Sequence, residues 1–317
     1  MKNKKNNLRI ALTTAALVGA ALFASSTQST IPARMLFPLY IAPGTNGANW
    51  NPVIAANTYG NIDVILNPYN GPGSAKQTNY VNGIARLKAA NVGIYGYVHS
   101  TYGDRSIVDV KADIDKWVNW YAPITGIFVD EAEYRAGQGD EGYYAELYAY
   151  IKERGMLAIN NPGTGTNETY LNLADTTCIF ESSVTKTLTF PSWGWNYPSE
   201  KFCYLAWGAS VEQMRTALDA ATKNNIEYVY ITGTGSDHWN FYPPYLAEEA
   251  ALLAGGVVAP TVTAPVVTSV PATPTKTATL TFTNTLTSTP TLVPTKTPTP
   301  QLICVPALSV VVCNRMP

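Results

Sequence analysis

Apolar positions along the chain gather into eight short runs: "MLFPLYI" (35–41), "IDVILN" (62–67), "VGIYGYVH" (92–99), "GIFVD" (126–130), "MLAIN" (156–160), "CIFE" (178–181), "FCYLAW" (202–207) and "EYVYIT" (227–232). Each has strand length and is apolar at nearly every position, as a strand covered on both faces must be. Most intervals carry a different period. In "SIVDVKADIDKWVNWY", Ile107, Val110, Ile114, Trp117 and Tyr121 recur every three or four residues and make one face of a helix. Ser106 and Asp109 have the spacing of an N-cap with an acid at the third helical position. "SVEQMRTALDAATKNN" repeats the pattern, with Ser210 and Gln213 capping and Val211, Met214, Leu218 and Ala221 as the stripe. "GYYAELYAYIKERG" stops at Gly155, the residue type expected beyond a helix end. The intervals after the first and sixth runs are the least helical.

Strand and helix alternating eight times in about 220 residues predict a parallel sheet covered by helices, closed as a small α/β (β/α)8 TIM-like barrel in a single domain. A doubly wound open sheet is the alternative. No G-x-G-x-x-G follows the first strand, so a dinucleotide-binding version has no support.

The segments flanking the barrel differ in composition. Residues 1–32 run from Lys2, Lys4, Lys5 and Arg9 through "IALTTAALVGAALFA" to small residues, the order of a secretory signal. The apolar run is short for a membrane span, and retention as an uncleaved anchor is the alternative fate. From about Val257 to 303 the chain is Thr/Pro-rich and without acids, which predicts an extended, semi-rigid linker. Residues 304–317 are too short for a domain. Cys304 and Cys313 would close a small loop if they paired in an oxidising compartment, and spacing alone does not establish that. Cys178 and Cys203 lie in apolar runs and are expected as small buried hydrophobes. The protein is thus expected to be secreted or held at a cell surface through its tail, with residues 33–256 as the barrel.

Charge narrows the ligand. The chain carries a net −1, but all 22 acids and only fourteen bases fall within residues 33–256, giving that domain −8. Such a domain is ill suited to nucleic acid. Neutral or cationic ligands fit it, and so does plain solubility.

In a barrel of this kind, chemistry gathers where strands end. Those ends bring Tyr40, Asn67, His99, Asp130 with Glu131, Asn160 with Asn161, Glu181, Trp207, and Thr232 leading into "GTGSDHW", which contains Asp237 and Trp239. Strand alternation puts Phe128 and Asp130 on one face and Glu131 on the other, so one of the pair is expected to face the mouth and the other to reach it from the loop or hold a neighbour in place. Glu133, further out, is expected in solvent. Glycoside hydrolysis needs two carboxyl groups, one protonated and one ionised; Asp130, Glu131 and Glu181 supply that pair with one to spare. The structural alternative is an ion-paired cluster with Arg105 or Arg135. A metal site is disfavoured, because His99 and His238 are the only histidines and no H-x-x-x-H occurs. No cofactor is called for. A serine hydrolase is disfavoured for want of G-x-S-x-G. Trp193, Trp195, Trp207 and Trp239 fall at or after the last three strand ends, and flat aromatic faces suit sugar rings.

Four motifs in order, "LNPYNGPG", "GYVHSTYGDR", "ADIDKWVNWY" and "GIFVDEAEY", make residues 35–250 resemble the spherulation-specific family 4 (spherulin-4-like) proteins, which include glycoside hydrolase family 135. The resemblance implies a (β/α)8 enzyme that cuts α-1,4-linked N-acetylgalactosamine inside an exopolysaccharide such as galactosaminogalactan. It places the family's acids on Asp130, Glu131 and Glu181, with His99 and Asn67 as substrate or supporting contacts. A partly deacetylated, cationic polymer would suit the −8 domain. The rival function is a non-catalytic carbohydrate-binding or cell-envelope barrel. A monomer is expected in either case.

Overall fold

The computed structural model describes residues 33–233, 237–255, 303–307 and 310–314. The sequence-predicted signal, and the linker up to 302, lie outside the described residues. The chain divides into two units, Met1–Val262 and Thr263–Pro317.

In the first unit eight strands pair in parallel and in chain order into a closed barrel: β1 (Arg34–Pro38), β2 (Ile62–Leu66), β3 (Gly93–His99), β4 (Gly126–Asp130), β5 (Leu157–Asn161), β6 (Thr176–Ser183), β7 (Phe202–Trp207) and β8 (Tyr228–Ile231). Every predicted strand is present, and β4 and β7 have the predicted bounds. Helices α1 (Asn51–Ala56), α2 (Thr78–Ala89), α3 (Ile107–Tyr121), α4 (Glu141–Lys152), α5 (Glu168–Leu171), α6 (Val211–Lys223) and α7 (Leu246–Leu253) fill the intervals. The two weakly periodic intervals are the irregular ones. A 3-10 turn precedes the six-residue α1 after β1, and only 3-10 turns separate β6 from β7.

The predicted stripes are the faces that pack. Val110, Ile114, Trp117 and Tyr121 of α3 are buried, as are Met214, Leu218 and Ala221 of α6. Trp117 lies so close to β3 that a Cβ at Gly96 would overlap its indole at 2.5 Å, and its Nε1–H donates to the Tyr97 carbonyl at 2.8 Å. Gly96 therefore marks the outer face of β3, and Tyr95, Tyr97 and His99 face inward. The two caps differ. Ser210 and Gln213 form the full reciprocal capping box. The Ser106 side chain makes no capping bond, because the Asp109 N–H is taken by the Ser106 carbonyl at 3.0 Å.

At the barrel floor, where strands begin, Arg34 makes a bidentate pair with buried Asp63 (3.0–3.1 Å). Fully buried Glu249 of α7 accepts the Ile231 N–H at 2.7 Å, beyond the short stretch where β8 pairs with β1. Cys178 and Cys203 are buried free thiols opposite each other in the β6–β7 register. The second unit contains an antiparallel hairpin, β9 (Ile303–Ala307) and β10 (Val310–Asn314), whose register sets Cys304 opposite Cys313.

Candidate active site

Register decides which strand-end side chains meet. His99, Asp130 and Asn161 are aligned across β3, β4 and β5, so all three share the inward face that Tyr97 and Phe128 establish. Asn160 aligns with Val129 on the outer face, where its amide donates to the Leu173 carbonyl at 3.3 Å. Asn160, expected as a sugar contact, therefore stands behind the sheet and Asn161 stands in the mouth. The difference is one residue of strand length, and in a strand one residue is a change of face.

Glu181 reaches the mouth through an irregularity. Cys178 pairs with Cys203 and Phe180 with Tyr204, so Ile179 is an extra residue in β6. Without it, Cys178 and Glu181, three apart, would take opposite faces. With it, Phe180 stacks outward on Tyr204 (4.5 Å between centroids) while Cys178 and Glu181 both point inward. A bulge that re-aims one side chain is a common device at barrel rims.

The assembled centre is small. The Asn161 amide nitrogen donates to Asp130 Oδ1 at 2.8 Å and to Glu181 Oε2 at 2.6 Å, which bounds those two oxygens to about 5.4 Å of each other. The Tyr97 hydroxyl donates to Asp130 Oδ2 at 2.7 Å. Among the described residues no cation touches either acid. Burial, reinforced by the charge of Asp130 and only partly offset by Asn161, pushes the Glu181 carboxyl up to about 7. Burial also raises Asp130, but donors from Tyr97, the Glu131 N–H and Asn161 work the other way and favour its ionised form. Tyr40, beside Asp130, Tyr97 and Glu181, has its hydroxyl pushed well above the ordinary range by burial and by those charges.

Glu131 sits on the rim, with its carboxylate 41% exposed and 3.6 Å from His99 Nδ1. Its backbone is left-handed (φ 51°), as are Thr101 (52°) and Tyr102 (54°) across from it. Three non-glycine residues in that region within one site represent stored strain of about 1–3 kcal/mol each. Hydrogen bonds hold them there: Ser100 Oγ and the Tyr102 N–H both donate to the Glu131 carbonyl, at 2.9 and 2.6 Å.

The predicted solvent position of Glu133 is overturned. Its side chain is fully buried, accepts the N–H groups of Tyr134 and Arg135, and pairs with the Arg135 guanidinium at 2.7 Å. The guanidinium holds its carboxyl down to about 2. The ion-paired alternative thus applies to Glu133, not to the three candidate acids, and Arg105 is engaged with Asp113.

The remaining candidates divide. Trp207 ends β7 in the mouth beside Ser183, stacked on His238 at 4.6 Å with Trp239 edge-on at 6.1 Å. Trp239 accepts the Tyr40 N–H through its carbonyl. Asn67 shapes its own loop, its Oδ1 taking the Gly71 N–H at 2.9 Å. Asp237 is exposed and holds the Asn240 amide at 2.6 Å. Trp193 packs against Phe202 at the start of β7, the end opposite the mouth, and Trp195 lies edge-on to Phe190 in the same cluster. The long β6–β7 connection carries both there because it must return to the barrel floor. Tyr97 and Tyr102 are the members that sequence reasoning missed, while Asn161 was noted at its strand end beside Asn160 but not singled out as the contact. The period-two spacing of Tyr97 from His99 was the available signal for the first.

A parallel eight-stranded barrel with a desolvated carboxylate pair bridged by an amide at the C-terminal ends of its strands is the class of protein defined here. Residues 34–253 match the family model described as Spherulation-specific family 4. Spherulin-4 of Physarum polycephalum is 31% identical over 242 residues, 71% of this chain and 71% of that protein. The chain belongs to spherulation-specific family 4. Among solved structures, Aspergillus clavatus Sph3 in complex with GalNAc aligns with a TM-score of 0.60 at 23% identity, covering 70% of this chain and 97% of that one. That likeness is one of fold.

Proposed function

We propose that the protein is a secreted glycoside hydrolase that cuts an amino-sugar exopolysaccharide internally, in the manner of an endo-α-1,4-N-acetylgalactosaminidase. The observation that carries the reading is the Asp130–Asn161–Glu181 bridge. Two desolvated carboxyl groups share one amide, and the one with the weaker set of donors holds its proton up to about pH 7. In this mechanism Glu181 gives that proton to the glycosidic oxygen as the bond to the anomeric carbon breaks. Asp130, kept as carboxylate by Tyr97 and Asn161, stabilises or captures the cationic carbon. Glu181, now ionised, then takes a proton from the incoming water. The short reach between the acids favours retention, for which carboxyl groups stand about 5–5.5 Å apart, over inversion, which needs about 6.5–9.5 Å. Glu131 and His99 hold sugar hydroxyls at the rim, and Tyr40, Trp207 and Trp239 supply walls.

Two observations support the substrate class: the motifs' resemblance to spherulin-4-like proteins, which include glycoside hydrolase family 135, and a fold shared with a protein solved in complex with GalNAc. Export rests on the composition of residues 1–32, and surface attachment on the Thr/Pro-rich segment. The test is incubation of purified protein with α-1,4-linked N-acetylgalactosamine oligosaccharides, read by mass spectrometry. Internal cleavage by wild type that is lost in Glu181→Gln and Asp130→Asn is expected. Binding without cleavage in all three would reassign the barrel to carbohydrate binding alone.

A further inference from the structure

Beside the carboxylate centre lies a groove of about 500 Å³ between the β2 and β3 loops, walled by Tyr69, Gly73, His99, Arg105, Asp113 and Lys116. It is outside the bond-breaking machinery but joined to it, since His99 lines the groove and also faces Glu131 at 3.6 Å. We propose, building on the glycosidase reading, that this groove is a second sugar subsite, and that it selects an uncharged N-acetylated unit over a free, cationic amino sugar.

The first observation is Tyr69. Its ring is 68% exposed, among the most open large side chains of the barrel, yet it is held in place. Gly73, at φ +84°, lies under the ring so closely that a Cβ there would come within 2.9 Å of it. Asn70 and Gly71 also take left-handed backbone, and the Asn67 side chain closes the turn on the Gly71 N–H. An exposed aromatic that a strained turn keeps in one pose is a ready stacking face for a pyranose ring.

The second observation is the charge of the opposite wall. Arg105 and Lys116 both pair with the single acid Asp113, at 2.5 and 2.8 Å, and Arg105 also donates to the His99 carbonyl at 3.0 Å. Two cations against one anion leave the wall net positive, although the domain as a whole is −8. The lysine ammonium and the guanidinium carry more N–H donors than Asp113 and His99 consume, and neither can accept. An acetamido carbonyl and ring hydroxyls satisfy such donors. A sugar ammonium brings only further donors and a like charge. Domain charge alone suggested a cationic polymer, and the local wall argues for an acetylated unit at this position.

The experiment uses the full-length protein and labelled α-1,4-linked galactosamine oligosaccharides, short and long, fully or partly N-acetylated. Tyr69→Ala is expected to cut the kcat/KM advantage of long chains over short ones by about three- to tenfold, mainly through KM. An unchanged long-to-short ratio would overturn the subsite. Lys116→Glu is expected to shift preference toward partly deacetylated chains. The same preference in wild type and in this variant, with matching thermal melts, would overturn the charge selection. If wild type cleaves nothing, the glycosidase reading fails by itself, and the subsite is judged from binding. Weaker titration of long acetylated chains by Tyr69→Ala supports it, and equal affinity sinks it.

Discussion

The floor and the mouth of this barrel each bury an aspartate at a strand end, and they treat it oppositely. At the floor, Asp63 is closed in by Arg34, a guanidinium bonded to both its oxygens. At the mouth, Asp130 is half-buried and, among the described residues, meets neutral donors, Tyr97 and Asn161, with Glu181 sharing the second. Desolvation raises both acids. A cation on the spot offsets part of that rise and ties up both oxygens of the first, whereas neutral partners leave a proton free to move between the second pair and a substrate. A desolvated carboxylate is thus a structural element or a chemical one according to the charge of its neighbours.

The largest effect should come from the mouth. Glu181→Gln is expected to lower kcat by about 10²- to 10⁴-fold, the range for a general acid, with the melting temperature at pH 7 maintained or raised. Loss of activity together with a much lower melting temperature would make Glu181 structural instead. The proton on Glu181 also sets a pH limb. Wild-type kcat should fall as pH rises through about 7, when the acid ionises. Its folded value lies above the ordinary 4.5, so the linked stability is fully present below about pH 4.5 and is lost as pH rises through 7. Glu181→Gln should therefore gain on wild type in thermal melts across that window, and parallel curves would contradict the assignment.

The floor should answer in the opposite currency. Arg34→Met leaves Asp63 buried and unpaired and is expected to cost about 3 kcal/mol in urea unfolding, with kcat per folded molecule retained. Tyr97→Phe removes one donor from Asp130, and an intermediate loss of about tenfold in kcat is expected, with an acidic limb displaced upward because Asp130 ionises less readily. Smallest of all, Lys223→Met breaks an exposed one-turn helical pair with Asp219 and should change stability by less than about 0.5 kcal/mol.

Much of this was legible along the chain. Continuous apolar runs separated by amphipathic stripes specify buried parallel strands and covering helices, and the barrel follows because both patterns recur eight times. Asp130, Glu131 and Glu181 were legible for a related reason: a carboxylate ending a wholly apolar strand has no bland place to go. Less visible was anything that turned on a single residue of phase or on a loop's path. Asn160 and Asn161 are indistinguishable in sequence, and only the register with Asp130 chooses between them. Glu133 looked like a solvent-facing acid until the chain folded back and set Arg135 on it.

By itself the sequence determined where strands and helices lie and which end of the barrel would carry acids, because side-chain period and hydrophobicity are properties of local composition. Tertiary structure alone decided which acids face each other, through the extra residue at Ile179 that turns Glu181 inward and the alignment that sets Asn161 between it and Asp130. Proton affinity depends on distance and on excluded water, and both come into being only when separate strands are brought side by side.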